Sequence, residues 1–166
     1  MTIVYVGPFR GSAQLRNQVS MATSTKAGYR YGTDDADIQA EIVRYSEANK
    51  YPAVRFSQAV CRCGGDAFEL ESDEEAGVAR RTCAGCGEIK LMGDSASYIA
   101  EATPERHICI CDHNVFGITS GVALYPDSND VRWYYIGCRC RACQLIGVFA
   151  DWKSESGDAD AFLAET

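Results

Sequence analysis

Eight of the nine cysteines in this 166-residue chain fall into two copies of one spacing. Cys61-x-Cys63 precedes Cys83-x-x-Cys86, and Cys109-x-Cys111 precedes Cys140-x-x-Cys143. Two close thiol pairs separated by a hairpin-length stretch let a short segment surround one tetrahedral ion at about 2.3 Å from each sulfur. The pattern predicts two tetrathiolate sites per chain, each holding Zn²⁺. A zinc closed by four sulfurs has no open coordination position, so its expected role is structural rather than catalytic.

Several neighbours could modify these ligand sets. Cys138, the ninth cysteine, could replace Cys140 or act as a reactive thiol, although a strand residue with a spare thiol is the favoured reading. His113 lies two residues beyond Cys111 and could supply a Cys₃His set, but four cysteines are already in register. His107 reads as a group outside the ligand set. Arg62, Arg139 and Arg141 sit inside the knuckles, where they are expected to offset thiolate charge through N–H···S contacts rather than to grip nucleic acid.

The two copies can be superimposed by register. A shift of 57 lays Cys83 on Cys140, Cys86 on Cys143, Ile89 on Ile146 and Leu91 on Val148. A shift of 48 lays Cys61 on Cys109, Cys63 on Cys111 and Phe68 on Phe116. The second copy therefore has the longer loop between its cysteine pairs, and the repeat extends into the apolar strand after each knuckle.

Elements that could position these cysteines follow from local patterns. Ile3 to Val6 reads as a short strand stopped by Gly7-Pro8, and Ser12 to Met21 as a weak helix. A better helix begins at Thr33 or Asp34, with Asp35 and Asp37 at its positive end and Ile38, Ile42 and Tyr45 on one face; it should close the core of the metal units. Tyr51 to Gln58 leads into the first cysteine pair as a strand. Ala67–Leu70 and Val78–Thr82 form a hairpin around an acidic turn, and Ile89–Met92 a third strand. A short helix is expected from Asp94 or Ser95 to Ala102. In the second copy Val115–Leu124 and Val131–Ile136 form the larger hairpin, with Val131, Trp133 and Tyr135 on one face. Leu145–Ala150 follows as a strand, Asp151-Trp152-Lys153 as a helix entry, and Asp158–Ala164 as a terminal helix.

The knuckles Cys83-Ala-Gly-Cys86-Gly87 and Cys140-Arg-Ala-Cys143 resemble the zinc-ribbon class, over residues 61–93 and 109–150. Residues 137–153 look similar to uncharacterised small bacterial proteins of that kind. The resemblance implies a small α+β fold: two tandem zinc ribbons, each an antiparallel hairpin with a third strand, flanked by short helices. It divides the chain into an N-terminal strand and helix cap (1–60), ribbon one (61–106), and ribbon two with a C-terminal helix (107–166). It implies fold and metal but no single activity. The C-x-C arms and the missing glycine after Cys143 depart from the usual pattern.

Charge narrows the function classes. The formal net charge of −7 falls to about −11 once two Zn(Cys)₄ units replace neutral thiols. Residues 1–32 carry four bases (Arg10, Arg16, Lys26, Arg30) and no acid, whereas residues 61–166 carry 18 acids and nine bases. Such a metal half repels phosphate and attracts basic partners. No Gly-rich phosphate loop, G-x-S-x-G turn or deaminase-type Cys-Glu arrangement is present, so a non-enzyme is expected. No stretch is apolar enough to span a bilayer, and nine cysteines without an export signal suit reduced thiols in the cytoplasm. The favoured reading is a protein-interaction module whose acidic surface docks a basic partner, in the manner of a bacterial immunity or inhibitor protein. The alternatives are nucleic-acid binding through the basic N-terminal segment, and a thiol enzyme or redox sensor using Cys138.

Overall fold

The computed structural model of the chain describes Val4–Tyr5, residues 23–155 and residues 157–166. The expected helix over Ser12–Met21 lies outside the described residues. In chain order the strands are β1 (Val4–Tyr5), β2 (Ser24–Lys26), β3 (Tyr29–Tyr31), β4 (Arg55–Gln58), β5 (Phe68–Asp73), β6 (Val78–Cys83), β7 (Ile89–Leu91), β8 (Glu105–Ile108), β9 (Phe116–Leu124), β10 (Val131–Cys140) and β11 (Leu145–Lys153). The helices are α1 (Asp35–Ala48) and α2 (Ala159–Ala164). Neither is long and apolar enough to cross a membrane.

These strands form one mostly antiparallel, eleven-stranded sheet among the described residues. This overturns the expected small α+β fold of two tandem ribbons with flanking helices. Each copy does make a three-stranded meander, β5–β6–β7 and β9–β10–β11. The meanders are not separate modules, however, because their first strands pair with each other at Phe68 and Phe116. Those two residues occupy equivalent positions in the 48-residue register, so the junction is a local twofold. An unpaired strand edge leaves backbone N–H and C=O groups without partners, and merging two edges satisfies both.

The join is reinforced by an exchange. On β5, Glu71 and Ser72 pair with Arg106 and Glu105 of β8, the strand leading into the second cysteine set. On β9, Thr119 and Ser120 pair with Gln58 and Ser57 of β4, the strand leading into the first. Every one of these positions maps onto its counterpart by the same shift of 48. Each copy thus donates its lead-in strand to the other.

The larger apolar cluster lies on one face of the sheet and draws on both copies: Phe68, Leu70 and Met92 with Phe116, Ile118, Tyr134, Ile136 and Phe149, together with Phe162 and Leu163 of α2. On the other face α1 packs Ile38 and Ile42 against Tyr135, Ala123 and Ile146. The helix starts where expected, with Asp34 and Asp37 forming a reciprocal capping box. It lies close because the sheet is stripped of side chains beneath it. A Cβ on Gly137 would stand 2.7 Å from Ile38 Cγ2, and one on Gly121 would stand 2.8 Å from Ile42 Cγ2. Gly137→Val is therefore expected to lever α1 off the sheet and destabilise the protein by about 1–3 kcal/mol, the usual penalty of overpacking. A urea midpoint matching wild type would contradict this close approach.

Three local expectations need correction. Asp151-Trp152-Lys153 does not enter a helix but continues β11. Asp151 instead accepts hydrogen bonds from Tyr45 Oη (2.9 Å) and Trp133 Nε1 (2.7 Å), tying α1 to the sheet. The helix expected through Ala102 shrinks to one 3₁₀ turn, Ser95–Ser97, without a side-chain cap. Val131 does not share a face with Trp133 and Tyr135, because the pairing of β10 with β9 shifts between Val131 and Trp133. That irregularity moves Val131 into the cluster holding Tyr134 and Ile136. The β2–β3 hairpin was not foreseen, although Ala27-Gly28, with φ of 53° and 84°, supplies the two left-handed residues of a tight hairpin turn.

Candidate metal centres

The structure brings the predicted cysteines into two quartets. Cys61, Cys63, Cys83 and Cys86 form one, and Cys109, Cys111, Cys140 and Cys143 the other; within each, the sulfurs lie within 4.8 Å of one another. The nearest pairs are Cys61–Cys86 at 3.5 Å and Cys63–Cys83 at 3.7 Å. In the second quartet Cys109–Cys143 and Cys111–Cys140 each stand 3.6 Å apart. Sulfurs at the corners of a tetrahedron about 2.3 Å from its centre are about 3.8 Å apart, whereas a disulfide requires about 2.05 Å. Both quartets therefore fit a single ion, and either could hold one.

Backbone turns produce this convergence, and they repeat. In the C-x-C arms, Cys61 N–H donates to Gly65 O and Gly64 N–H to Cys61 O, both at 2.8 Å. Cys109 N–H donates likewise to His113 O and Asp112 N–H to Cys109 O, again at 2.8 Å. Gly64 (φ 85°) and Asp112 (φ 63°) occupy the same left-handed position. In the C-x-x-C arms, Gly87 N–H reaches Cys83 O at 2.9 Å and Gln144 N–H reaches Cys140 O at 3.0 Å. The glycine missing after Cys143 is thus replaced by Gln144 in the left-handed region (φ 66°), at a cost of about 1–2 kcal/mol. Contacts hold it there: its carbonyl accepts from Gly32 N–H at 3.0 Å and its Oε1 from Arg139 Nη1 at 2.6 Å.

The electrostatics suit metal-for-proton exchange. The N–H groups of Cys86 and Gly85, aimed at Cys83 Sγ, outweigh its burial and lower its pKa to about 7. Burial opposes ionisation of Cys111, but the His113 N–H and the other sulfurs prevail and its pKa falls. Cys61 goes the other way: the Cys63 N–H favours its thiolate, yet the Glu88 carboxylate and burial together raise it. Burial raises Cys109. In each quartet the surroundings thus ease ionisation of one sulfur, Cys83 or Cys111, and a dication bound by the four would displace the thiol protons that remain.

Residues near the quartets take other parts. His113 contributes its main-chain carbonyl, as above. Cys138 stands outside both quartets in β10, fully buried, and burial raises its pKa well above the ordinary thiol value. His107 is also buried; its Nε2 hydrogen-bonds with Ser72 Oγ at 2.6 Å, and burial pushes its pKa down to about 4. The knuckle arginines make oxygen contacts instead of the expected sulfur contacts. Arg62 pairs with Glu88, Arg139 with Gln144, and Arg141 with Asp66 (2.8 Å). Arg141 and Asp66 belong to different copies, so this pair links the two centres. Two residues that sequence reasoning passed over adjoin the first quartet: Glu88, whose Oε2 lies 3.1 Å from Cys61 Sγ, and Arg81 of β6. No motif marks either one, since their roles depend on which strands meet. Comparison with family models, curated proteins and solved structures returns no match for this chain.

Proposed function

We propose that this protein is a non-catalytic interaction module, stapled by two Zn²⁺ ions, whose acidic surface docks a basic protein partner. A bacterial immunity or inhibitor protein would work in this way. The observation that carries the reading is how unequally the charges are used. Of the bases in residues 61–166, Arg62, Arg80, Lys90, Arg106 and Arg141 are held in ion pairs within the chain. Arg81 and Arg139 are buried, and Arg132 lies over the rings of Tyr51 and Tyr125 at 4.5 and 5.6 Å. Little is left to hold phosphate.

Acids outnumber these bases and gather in two adjoining clefts of about 300 and 340 Å³. Asp73, Glu74, Glu75 and Glu105 line one, and Glu74, Glu75, Asp94 and Glu155 the other. Glu75 and Glu105 have no ion-pair partner among the described residues. Carboxylates gathered on a concave surface favour an incoming ammonium or guanidinium group and speed its encounter. Zinc suits the all-sulfur ligand set, and nine free thiols suit a cytoplasmic, reducing setting.

The test is affinity capture with the metal-loaded protein and with a Glu74→Lys/Glu75→Lys/Glu105→Lys variant. Wild type should retain a basic protein at low salt and the variant should lose it. Equal retention by both, or retention of nothing, would overturn the reading. Salt-dependent binding of DNA or RNA by wild type would instead favour the nucleic-acid alternative.

A further inference from the structure

The two quartets share their backbone turns but not their electrical surroundings. Arg81, on β6, is 2 % exposed, and its guanidinium lies 4.3 Å from the centre of the Phe68 ring. Phe68 is the register partner of the ligand-set residue Cys83. Arg81 Nη2 donates to the Thr166 carbonyl oxygen at 2.9 Å and approaches Val60 O, beside Cys61, at 3.5 Å. Its Nε and Nη1 are buried with no hydrogen-bond partner. A guanidinium stays charged even where burial lowers its pKa, as it does here. A buried cation with two idle donors is costly unless an anion lies nearby. The negative groups that act on it most strongly are Cys61, Glu88 and Cys83.

At the equivalent place in the second copy stands Cys138, which carries no charge and is fully buried. Arg139, next to it, is also buried; its Nη1 donates to Gln144 Oε1 and its Nε has no hydrogen-bond partner.

We propose that Arg81 is the counter-cation of the first metal centre, a positioning residue outside the ligand set. The inference rests on the tetrathiolate–zinc reading above. Four thiolates around one dication carry a net charge of −2, and moving that charge from water into a partly buried site is penalised. A cation held against it by the β5–β6 hairpin offsets the penalty. Conversely, when the first centre is empty the same guanidinium has less negative charge to face. Arg81 therefore strains the fold when the first centre is empty and stabilises it when that centre is loaded.

This reversal of sign provides the test. The full chain is loaded with ¹¹³Cd²⁺, whose tetrathiolate resonances are counted and then followed during chelator titration; Cys111→Ser assigns the second centre. Wild type should give two resonances. Arg81→Met should release metal from the first centre about tenfold or more readily, within the range of losses seen when groups outside a ligand set are removed, and leave the second unchanged. Arg81→Lys, which keeps the charge, should fall between Met and wild type. In a Cys83→Ser background, where only the second centre is loaded, adding Arg81→Met should leave the urea midpoint unchanged or raise it.

Fewer than two cadmium resonances from wild type would refute the tetrathiolate reading itself. With two resonances present, equal weakening at both centres would overturn the counter-cation inference. So would an Arg81→Met change that destabilises the Cys83→Ser background as much as it destabilises the fully loaded protein, because Arg81 would then serve packing and Thr166. If Arg81→Met does not fold, Arg81→Lys decides: release from the first centre as slow as wild type or moderately faster supports the inference, and release faster at both centres overturns it.

Discussion

Stripping both metals with a strong chelator should unfold both copies and release two Zn²⁺ per chain. The expected loss is large, on the order of 10 kcal/mol per structural site, which exceeds the net stability of most domains this size. Each quartet is held at one end by a C-x-C turn and at the other by a C-x-x-C turn, so two otherwise independent backbone segments converge on one ion. Without it, sulfurs 3.5–3.7 Å apart have only weak S–H contacts to hold them.

The collapse should be shared because of the strand exchange. β4 leads into the first quartet but is paired to β9 of the second copy, and β8 leads into the second but is paired to β5 of the first. Cys83→Ser, nominally an injury to one centre, should therefore lower the urea midpoint for loss of β-sheet circular dichroism across both copies, while the second centre still takes up its metal in the absence of denaturant. Chelation that removes two metals while leaving the spectrum and the amide-exchange protection intact would contradict this. So would loss of only the first copy, which would mean the exchange is energetically minor.

Phe116→Ala should cost about 3–5 kcal/mol, the usual range for deleting a buried aromatic ring. Phe116 is fully buried, faces Phe68 across the local twofold, and packs edge-on against Phe149 with ring centres 5.0 Å apart. The cavity cannot close easily, since its walls are strands from both copies pinned by their metal centres. Urea unfolding of the metal-loaded protein should show a lowered midpoint with two-state shape retained. A change under 1 kcal/mol would mean that the copies do not share this core. The two experiments probe different parts of one claim: metal holds the ends of the meanders, and the phenylalanine pair holds their junction.

Much of the local architecture could be read without coordinates. Spacing alone grouped the eight cysteines as the structure groups them, because ligand convergence over two or three residues is a local geometric problem. The duplication emerged by register for the same reason. The acidic residues Asp34, Asp35 and Asp37 at a helix N-terminus and the Ile38–Ile42 face located α1, since dipole compensation and amphipathic periodicity act within a few residues. Hairpins flanking acidic turns were equally visible.

What local pattern could not disclose was who pairs with whom. The reading of two separate ribbons treated each copy's sheet edges as its own affair, and partner choice between strands is decided by which edges must be covered once the whole chain is collapsed. The same non-local choice recruited β4 and β8 across the twofold, turned Asp151 from a helix cap into the acceptor for Tyr45 and Trp133, and re-aimed Val131 through a shift in register. It also decided which charges are consumed inside the molecule and which remain outside. The sequence by itself determined two sulfur quartets, their repeat and the helix α1; only the tertiary structure joined their strands into a single sheet, with the two quartets flanking the Phe68–Phe116 junction, and buried Arg81 near the first of them. The physical reason is range: turns, caps and chelate spacing act over a few residues, whereas strand partnership and charge burial are settled between segments tens of residues apart.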